Sequence, residues 1–329
     1  MKNVLFVAGL AERYYYEPFI VACENRVNVF VFDPTIIPRN GALSIYLSTD
    51  GNLSGFIDTF RLNGENTENV RLSLCDIQTA WYLRENIQHQ NQKHNSLERR
   101  FADNESYGAV RSLLSALDCK WINKKETVEF LSSNKLYQQK VALEAGLVVP
   151  PTLVSNSPED VVNFSKHCNG LLLKTIGYIK LDDDGKYFLY SNRFTHTEIQ
   201  TSDRAIHNAP VFAQKYIEKL YEHRVMVIGN RVLSCRINSQ ASQVSRIDWR
   251  HYDFEKVAHD YVVLPEDIQH KLLCFMSKIG LRYGAIDLIE TPSGEFVFLE
   301  INPSGQWGWI HDLAGLPIPE AVAEMLESI

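Results

Sequence analysis

Short apolar runs alternate with helical patterns along the chain, which predicts a mixed α/β (α+β) architecture. The segment up to about residue 125 is typical of a small α/β domain, because its strand-like runs are β-branched and aromatic. These runs occupy residues 4–8, 27–33, 42–48 and 79–83. Only Gly9 follows the first run and no GxGxxG motif is present, so the sequence lacks a dinucleotide-binding fingerprint.

Helices and strands follow a different order after about residue 125. Residues 126–145 carry apolar side chains at helical spacing, with a second helix start indicated at 132–134, and Gly146 ends this stretch. Ser157 and Pro158 indicate the start of another helix. The remaining pattern predicts strands at 170–174, 210–217, 222–227 and 232–237, then helices at 266–279 and 310–329.

Three oxygen-bearing side chains are expected to meet near the end of the chain. Glu300 and Asn302 lie two residues apart in an apolar strand signal, so they share one face of that strand. A turn signal at 291–294 predicts a hairpin that brings Asp287 beside them. Three hard oxygen donors suit Mg²⁺. The alternative is a solvent-exposed polar face, and spacing alone leaves both interpretations open.

Lys174 ends an otherwise apolar strand, which favours an anion site. A buried ammonium group is costly without an anionic partner, and phosphate is a common one. The alternative is a lysine that protects an edge strand from aggregation. The strand at 210–217 and the connector after it can offer backbone groups to an adenine edge. Its candidate residues are Gln214, Lys215, Tyr216 and Ile217.

Arginines are concentrated in one part of the chain, and lysine is scarce there. Arg224, Arg236, Arg246 and Arg250 lie close together in sequence, and we expect most of them on strands that face an anion site. Arginine binds phosphate and carboxylate through two parallel hydrogen bonds. A merely solvated face would mix lysine and glutamate, so residue type favours the anion site.

Composition limits the functional classes. The chain has 329 residues, 45% of them hydrophobic and 22% charged, as is ordinary for a globular enzyme. The net charge of −7 argues against a nucleic-acid partner. Six scattered cysteines without a CxxC pair predict free thiols in a reducing compartment and no zinc site. We see no signal peptide and no membrane-span run, so we expect a cytoplasmic protein without a membrane partner.

The order of these parts resembles the ATP-grasp ligases. Glu300-Ile301-Asn302-Pro303 after a strand, with Asp287 on the strand before it, carries this resemblance, which spans residues 120–329. Residues 121–156, Asp248-Trp249-Arg250 and residues 298–310 are similar to the graspetide synthetases, the microviridin-type peptide macrocyclases. The resemblance implies an N-terminal pre-ATP-grasp domain at 1–125, a central lobe at 126–213 and a C-terminal lobe with mixed or antiparallel sheets at 214–329.

The same resemblance implies roles for individual residues. Asp287, Glu300 and Asn302 correspond to magnesium ligands. Phosphate-binding positions of ATP fall on Lys135, Lys174 and Arg224, the adenine contacts fall on 214–217, and Glu218 lies near the ribose. Asp248 and Arg250 belong to the peptide-handling element. The chain departs from many relatives after Lys174, where only Gly177 stands in place of a glycine-rich phosphate loop.

The chemistry implied is ATP-dependent macrocyclisation of a ribosomal precursor peptide. A Glu or Asp side chain would be phosphorylated, then attacked by a Ser/Thr hydroxyl to give an ester or by a Lys amine to give an amide. Arg236 or Arg250 would hold the carboxylate. Asp248 would be either a general base or an ion-pair partner that orients Arg250 or Arg246. The resemblance also suggests a homodimer, with the leader of the precursor bound around residues 175–191.

Two other functions remain open at this point. An ATP-grasp ligase that adds amino acids to a peptide or protein terminus would use the same acylphosphate. A non-catalytic module that binds nucleotide or peptide would have no use for three convergent oxygens at Asp287, Glu300 and Asn302.

Overall fold

Two structural units make up the chain in the computed structural model, which describes residues 1–63, 66–84, 96–176, 192–249 and 256–329. One unit comprises residues 1–128 together with 317–329, and the other comprises residues 129–316. Three sheets contain the strands of the described residues. The predicted mixed α/β architecture is confirmed.

The first unit is built on a sheet with the order β3-β4-β2-β1-β6-β7, and β5 pairs with β4. Its strands are β1 (Lys2–Ala8), β2 (Val27–Phe32), β3 (Leu43–Leu47), β4 (Leu53–Asn63), β5 (Asn66–Ser73), β6 (Thr79–Arg84) and β7 (Lys120–Trp121). Strand β1 lies parallel between β2 and β6. Phe6, Phe19 and Trp81 pack their rings together in its core, with the Phe19 and Trp81 rings stacked at 5.8 Å.

The helices of this unit are α1 (Arg13–Ala22), α2 (Leu97–Ala116) and α10 (Ile318–Ser328). Helix α10 packs against α1 and belongs to the first unit. The C-terminal lobe expected from the sequence, at 214–329, includes the residues of this helix. The chain leaves the second unit at Gly315, which has a left-handed φ of 67°, and Pro317 precedes the new helix.

The second unit contains two antiparallel sheets. The smaller sheet has the order β10-β9-β11-β8, and the larger has the order β14-β13-β12-β15-β16. Their strands are β8 (Thr152–Ser155), β9 (Leu171–Lys174), β10 (Asn192–Phe194), β11 (Val211–Lys215), β12 (Tyr221–Ile228), β13 (Arg231–Ile237), β14 (His259–Val262), β15 (Tyr283–Glu290) and β16 (Phe296–Asn302). The predicted hairpin of β15 and β16 is therefore confirmed.

The predicted helical stretch at 126–145 is two helices, α3 (Lys125–Ser132) and α4 (Lys135–Glu144). The Gln138 side chain of α4 bridges this break by a hydrogen bond to α3 on the other side of it. Its Nε2 donates to the Leu131 carbonyl at 2.8 Å, and its Oε1 accepts from the Ile301 N–H at 2.9 Å. One buried amide thus connects the end of α3, the helix α4 and the strand β16.

The remaining helices of the second unit are α5 (Pro158–Ser165), α6 (His196–Gln200), α7 (Asp203–Asn208), α8 (Glu266–Ile279) and α9 (Gly308–Ala314). The predicted cap of α5 is confirmed, since Ser157 accepts from the Asp160 N–H at 3.3 Å. Helix α8 packs Leu272, Phe275 and Met276 onto one face of the larger sheet, where Phe298 lies 4.9 Å from the Phe275 ring.

His223 is a buried polar group on this face. Its Nδ1 lies 3.0 Å from Ser234 Oγ and its Nε2 lies 3.0 Å from Glu290 Oε2. Burial lowers the pKa of His223 below its ordinary 6.5, against the opposing effect of Glu290. The folded protein therefore holds this imidazole neutral at a pH where the unfolded chain begins to protonate it.

We expect the free energy of unfolding to fall as the pH drops below about 6.5, because the unfolded state then binds more protons, at up to about 1.4 kcal/mol per pH unit. His223→Gln, which keeps a donor towards Glu290, should flatten this fall in urea unfolding between roughly pH 7.5 and 5.5, a window centred on the ordinary pKa of histidine. His270→Gln changes an exposed imidazole on α8 and is the matched control. Equal slopes in the wild type and His223→Gln would contradict this assignment.

Candidate active site

A cleft in the second unit lies between the smaller and the larger sheet. The smaller sheet and α4 contribute Lys135, Leu172 and Lys174, and the segment after β11 contributes Tyr216, Ile217 and Lys219. The larger sheet and the segment before residue 250 contribute Glu222, Ile247, Asp248, Trp249, Asp287, Ile289, Leu299 and Glu300. Seven of the site residues named from the sequence therefore line one cleft, namely Lys135, Lys174, Tyr216, Ile217, Asp248, Asp287 and Glu300.

The pairing of β15 with β16 places Asp287 directly opposite Glu300. Asn302 lies opposite Ala285, one pair further along the same face. The Asn302 side chain is exposed, and its Oδ1 accepts from the Ser304 N–H at 3.2 Å. Within the described part of the chain, no cluster of three or more His, Cys, Asp or Glu could hold a metal. The site thus offers two carboxylates and one amide oxygen, a donor set that fits Mg²⁺.

Arg224 lies on β12 directly opposite Asp287 and is buried. Its Nη1 donates to Asp287 Oδ1 at 3.0 Å, and its Nη2 donates to the Gln306 carbonyl at 3.2 Å. Its Nε has no hydrogen-bond partner among the described residues. Arg224 is therefore a fixed cation beside Asp287.

Two lysines line the cleft from the side of α4 and the smaller sheet. Lys135 begins α4, and its Nζ lies 3.1 Å from Glu300 Oε2. Lys174 is the last residue of β9 and lines the same cleft. In the order of the smaller sheet, β9 lies between β10 and β11. Lys174 pairs with Phe212 of β11, whereas the described pairing of β9 with β10 covers Leu171 to Leu173, so the alternative of an edge lysine stays open.

The predicted adenine-binding strand has two different parts. Gln214 and Lys215 lie within β11, where the Gln214 amide donates to Thr152 Oγ1 at 3.1 Å and does not line the cleft. Tyr216 and Ile217 do line it. The Tyr216 N–H donates to the Gly170 carbonyl at 3.0 Å, whereas no described residue accepts from the Ile217 N–H. Glu218 is exposed.

The arginines do not share one face, contrary to the expectation from sequence. Arg236 lies opposite His223, so the pleat places it on the other face of the sheet from Arg224. There it forms an ion pair with Asp260 at 3.0 Å and covers the Tyr221 ring. Its predicted position at the carboxylate site is therefore wrong. Arg246 is exposed, and Arg250 lies outside the described residues, as do residues 177–191.

Two buried charges at the cleft were not predicted from the sequence. Lys219 Nζ donates to Glu222 Oε1 at 2.7 Å and to the Ile247 carbonyl at 2.9 Å. Burial raises the pKa of Glu222, and the adjacent Lys219 ammonium opposes this rise. Lys219 thereby fixes the backbone just before Asp248, which is itself buried. Glu222 precedes Arg224 by two residues in the same strand, so the sequence alone could have placed Glu222 on the same face as Arg224.

Comparison with known proteins defines the fold of this site. No protein-family model matches the sequence, and no curated relative matches it. A RiPP-associated ATP-grasp ligase from Chryseobacterium gregarium, solved with ADP and a leader and core peptide, is 26% identical with a TM-score of 0.84. The match covers 99% of this chain and 96% of that one. The chain has the ATP-grasp ligase fold.

Two macrocyclases from Microcystis aeruginosa MRC are also similar to the chain. MdnC, bound with the precursor peptide MdnA, is 26% identical with a TM-score of 0.79, and the match covers 99% of this chain and 100% of MdnC. MdnB is 24% identical with a TM-score of 0.72 and 99% coverage of both chains, a likeness that supports the fold alone. The resemblance stated from the sequence, to graspetide-type ATP-grasp ligases, is confirmed.

Gly305 is required by the close approach of the turn after β16 to Arg224. A Cβ built at this position would lie 2.6 Å from Arg224 Nη2 and would also overlap the Ala285 side chain. We expect Gly305→Ala to destabilise the fold by about 1–3 kcal/mol in urea unfolding, because two crowded neighbours must move. Gly308→Ala is the matched control, since its Cβ meets nothing within 4 Å. A Gly305→Ala protein as stable as Gly308→Ala would contradict this account.

Proposed function

We propose that this protein is an ATP-dependent peptide macrocyclase. It phosphorylates Glu or Asp side chains of a precursor peptide and joins them to Ser/Thr hydroxyls as esters or to Lys amines as amides. The observation that carries this proposal is the cleft lined by Lys135, Lys174, Asp287 and Glu300, in which Lys135 contacts Glu300 and the neighbouring Arg224 contacts Asp287. The likeness over the whole chain to a ligase solved with ADP and a leader and core peptide supports it.

ATP is the first substrate, and this cleft has the groups that recognise it. Tyr216 and Ile217 would contact the adenine, and the Ile217 N–H is available for its edge. Lys135 and Lys174 carry the positive charge that the phosphates require. We keep Lys215 and Glu218 as further nucleotide contacts and Gln214 as support for the strand that carries them.

Asp287, Glu300 and Asn302 would hold Mg²⁺, which neutralises charge on the transferring phosphoryl group when it is bound. Arg224 would complement it as a preorganised donor, because its guanidinium is buried and fixed by two hydrogen bonds. The chain thus stabilises the transfer of the γ-phosphoryl group to the carboxylate of the peptide. Carboxylates are poor acyl donors until they are activated in this way.

The part of the site that handles the acceptor would lie at residues 247–249, which line the cleft. Asp248 lines the cleft and is buried, and Lys219 fixes the carbonyl of the preceding residue. We propose that Asp248 handles the peptide, either as the base for the incoming hydroxyl or as the partner of Arg250. Arg250 would hold the carboxylate in line for attack.

Three further properties belong to this proposal. We propose a homodimer that recognises the leader of the precursor through residues 175–191, and a cytoplasmic location without nucleic-acid or membrane partners. Among the described residues, no helix combines the length and apolarity needed to cross a membrane. Light scattering of the purified protein would test the dimer.

The experiment that tests the function incubates the protein with ATP, Mg²⁺ and a precursor peptide whose core contains Thr/Ser and Glu/Asp. We expect ADP release that depends on the peptide, and a product that has lost one water for each ring. A product that gains an amino acid would favour the alternative of a terminal amino-acid ligase. Nucleotide binding without peptide-dependent ADP release would favour a non-catalytic module.

Asp287→Asn should lower peptide-dependent ADP release by roughly 100- to 1,000-fold, because the substitution keeps the side-chain volume but removes charge at the phosphoryl group. Asp260→Asn is the matched control. Asp260 also lies 3.0 Å from an arginine of the same sheet, but on the opposite face. Chromatography of nucleotides gives both rates, and equal losses in the two variants would remove Asp287 from the reaction.

Arg250→Ala is expected to abolish ring formation while ATP still binds, because Arg250 is assigned to the peptide carboxylate and not to the nucleotide. Mass spectrometry of the product and calorimetry with ATP measure the two effects separately. An unchanged product would remove Arg250 from the mechanism.

A further inference from the structure

Two tryptophan rings are in contact beside the cleft and have no role in the function proposed above. Trp249 follows Asp248 directly and lines the cleft, whereas Trp309 lies in α9. Their ring centroids are 4.9 Å apart, with 30° between the ring planes. Both side chains are half-buried, so neither is a fully enclosed core residue. The pair, Trp249 with Trp309 behind it, is called here the indole wall.

Trp309 has little freedom to move in this arrangement. Trp307 and Ile310, on either side of it in sequence, are both buried. The His259 ring on β14 packs edge-on against the Trp309 indole, with centroids 5.6 Å apart and 83° between the planes. Burial lowers the pKa of His259, so at neutral pH the wall is supported by an uncharged ring. The position of Trp249 is therefore fixed from behind.

The indole wall lies beside a cleft that is rich in charge. Seven of the other side chains that line the cleft are charged, namely Lys135, Lys174, Lys219, Glu222, Asp248, Asp287 and Glu300, and five are aliphatic. A large apolar surface next to Asp248 displaces water that these charges would otherwise retain. It also lowers the local dielectric constant, which strengthens the action of the fixed charges on the substrate.

Water is a competitor in the proposed reaction. In ring closure the acceptor oxygen bonds to the acyl carbon, the bond from that carbon to the phosphate oxygen breaks, and phosphate leaves. The hydroxyl proton passes to a base or to the departing phosphate. A water molecule can attack in the same way, and it regenerates the carboxylate and releases phosphate without forming a ring. ATP is then consumed for no product.

We propose that the indole wall excludes water from the activated carboxylate, so that each ATP consumed yields one ring. Trp249 presents the apolar surface, and Trp309 is a positioning residue that holds it. This inference rests on the proposed macrocyclase function and deepens it, because it assigns the residues that protect the acylphosphate. The test measures the ratio of ADP released to rings formed, because a simple loss of activity would leave this ratio unchanged.

The experiment measures ADP released per ring formed by the full-length protein, in water enriched in the heavy oxygen isotope. We expect about one ADP per ring in the wild type, and a several-fold higher ratio in Trp249→Leu and in Trp309→Leu. Attack by water at the acyl carbon leaves solvent oxygen in the side-chain carboxylate of the linear peptide. Mass spectrometry should therefore find labelled linear peptide in both variants.

Trp121→Phe is the matched control. Trp121 lies in the first unit, and its indole Nε1 is buried without a hydrogen-bond partner among the described residues, so phenylalanine loses little there. Its ratio should equal that of the wild type. Trp249→Phe keeps an aromatic surface and should restore the ratio most of the way. Thermal unfolding of each variant confirms that it is folded, and the two leucine variants test the wall independently.

The outcomes separate this inference from the function on which it rests. A wild-type protein that forms no ring would overturn the proposed function itself. Rings from the wild type, with leucine variants that lose ADP release and rings in proportion, would overturn the indole wall and leave the function intact. Unlabelled linear peptide from both leucine variants would overturn it equally.

Discussion

Two carboxylates forced side by side determine the arrangement of this site. The pairing of β15 with β16 places Asp287 opposite Glu300, and like charges in directly opposed positions repel each other. A cation lies beside each of them among the described residues, Arg224 at 3.0 Å from Asp287 and Lys135 at 3.1 Å from Glu300. These contacts require Gly305 to approach Arg224 without a side chain, and they require α4 to begin at Lys135. Gln138 then fixes α4 to the same strand.

The pleat of the larger sheet separates chemistry from stability. One face carries Glu222 and Asp287, which line the cleft, together with Arg224, which pairs with Asp287. The other face carries the apolar residues that pack against α8, with Phe298 and Phe275 in contact. A one-residue shift in register would exchange these faces and destroy both. Gly305 therefore packs against Arg224 on one face of the larger sheet, and the aromatic core packs on the other face.

Much of this arrangement could be predicted from local patterns. The two-residue spacing of Glu300 and Asn302 and the turn at 291–294 give the hairpin, because both depend only on neighbours in sequence. The position of Arg236 could not be obtained in this way. Arginine content suggests an anion site, but the register with His223 decides which face the side chain occupies. Lys219 lies in a connector, where no periodicity indicates burial. The contact of Trp249 with Trp309 joins distant segments that no local pattern relates.

The ion pairs of Arg224 and Lys135 have a thermodynamic consequence. Each cation is already occupied by the carboxylate that a divalent metal would take, so metal and phosphate cannot be added to the site independently. A metal that displaces either cation leaves it free for an anion, and an anion that attracts either cation exposes a carboxylate to the metal. On the assignment proposed above, the binding free energies of metal and nucleotide would be coupled, and by linkage each would raise the affinity of the other equally. Metal and nucleotide would then bind cooperatively.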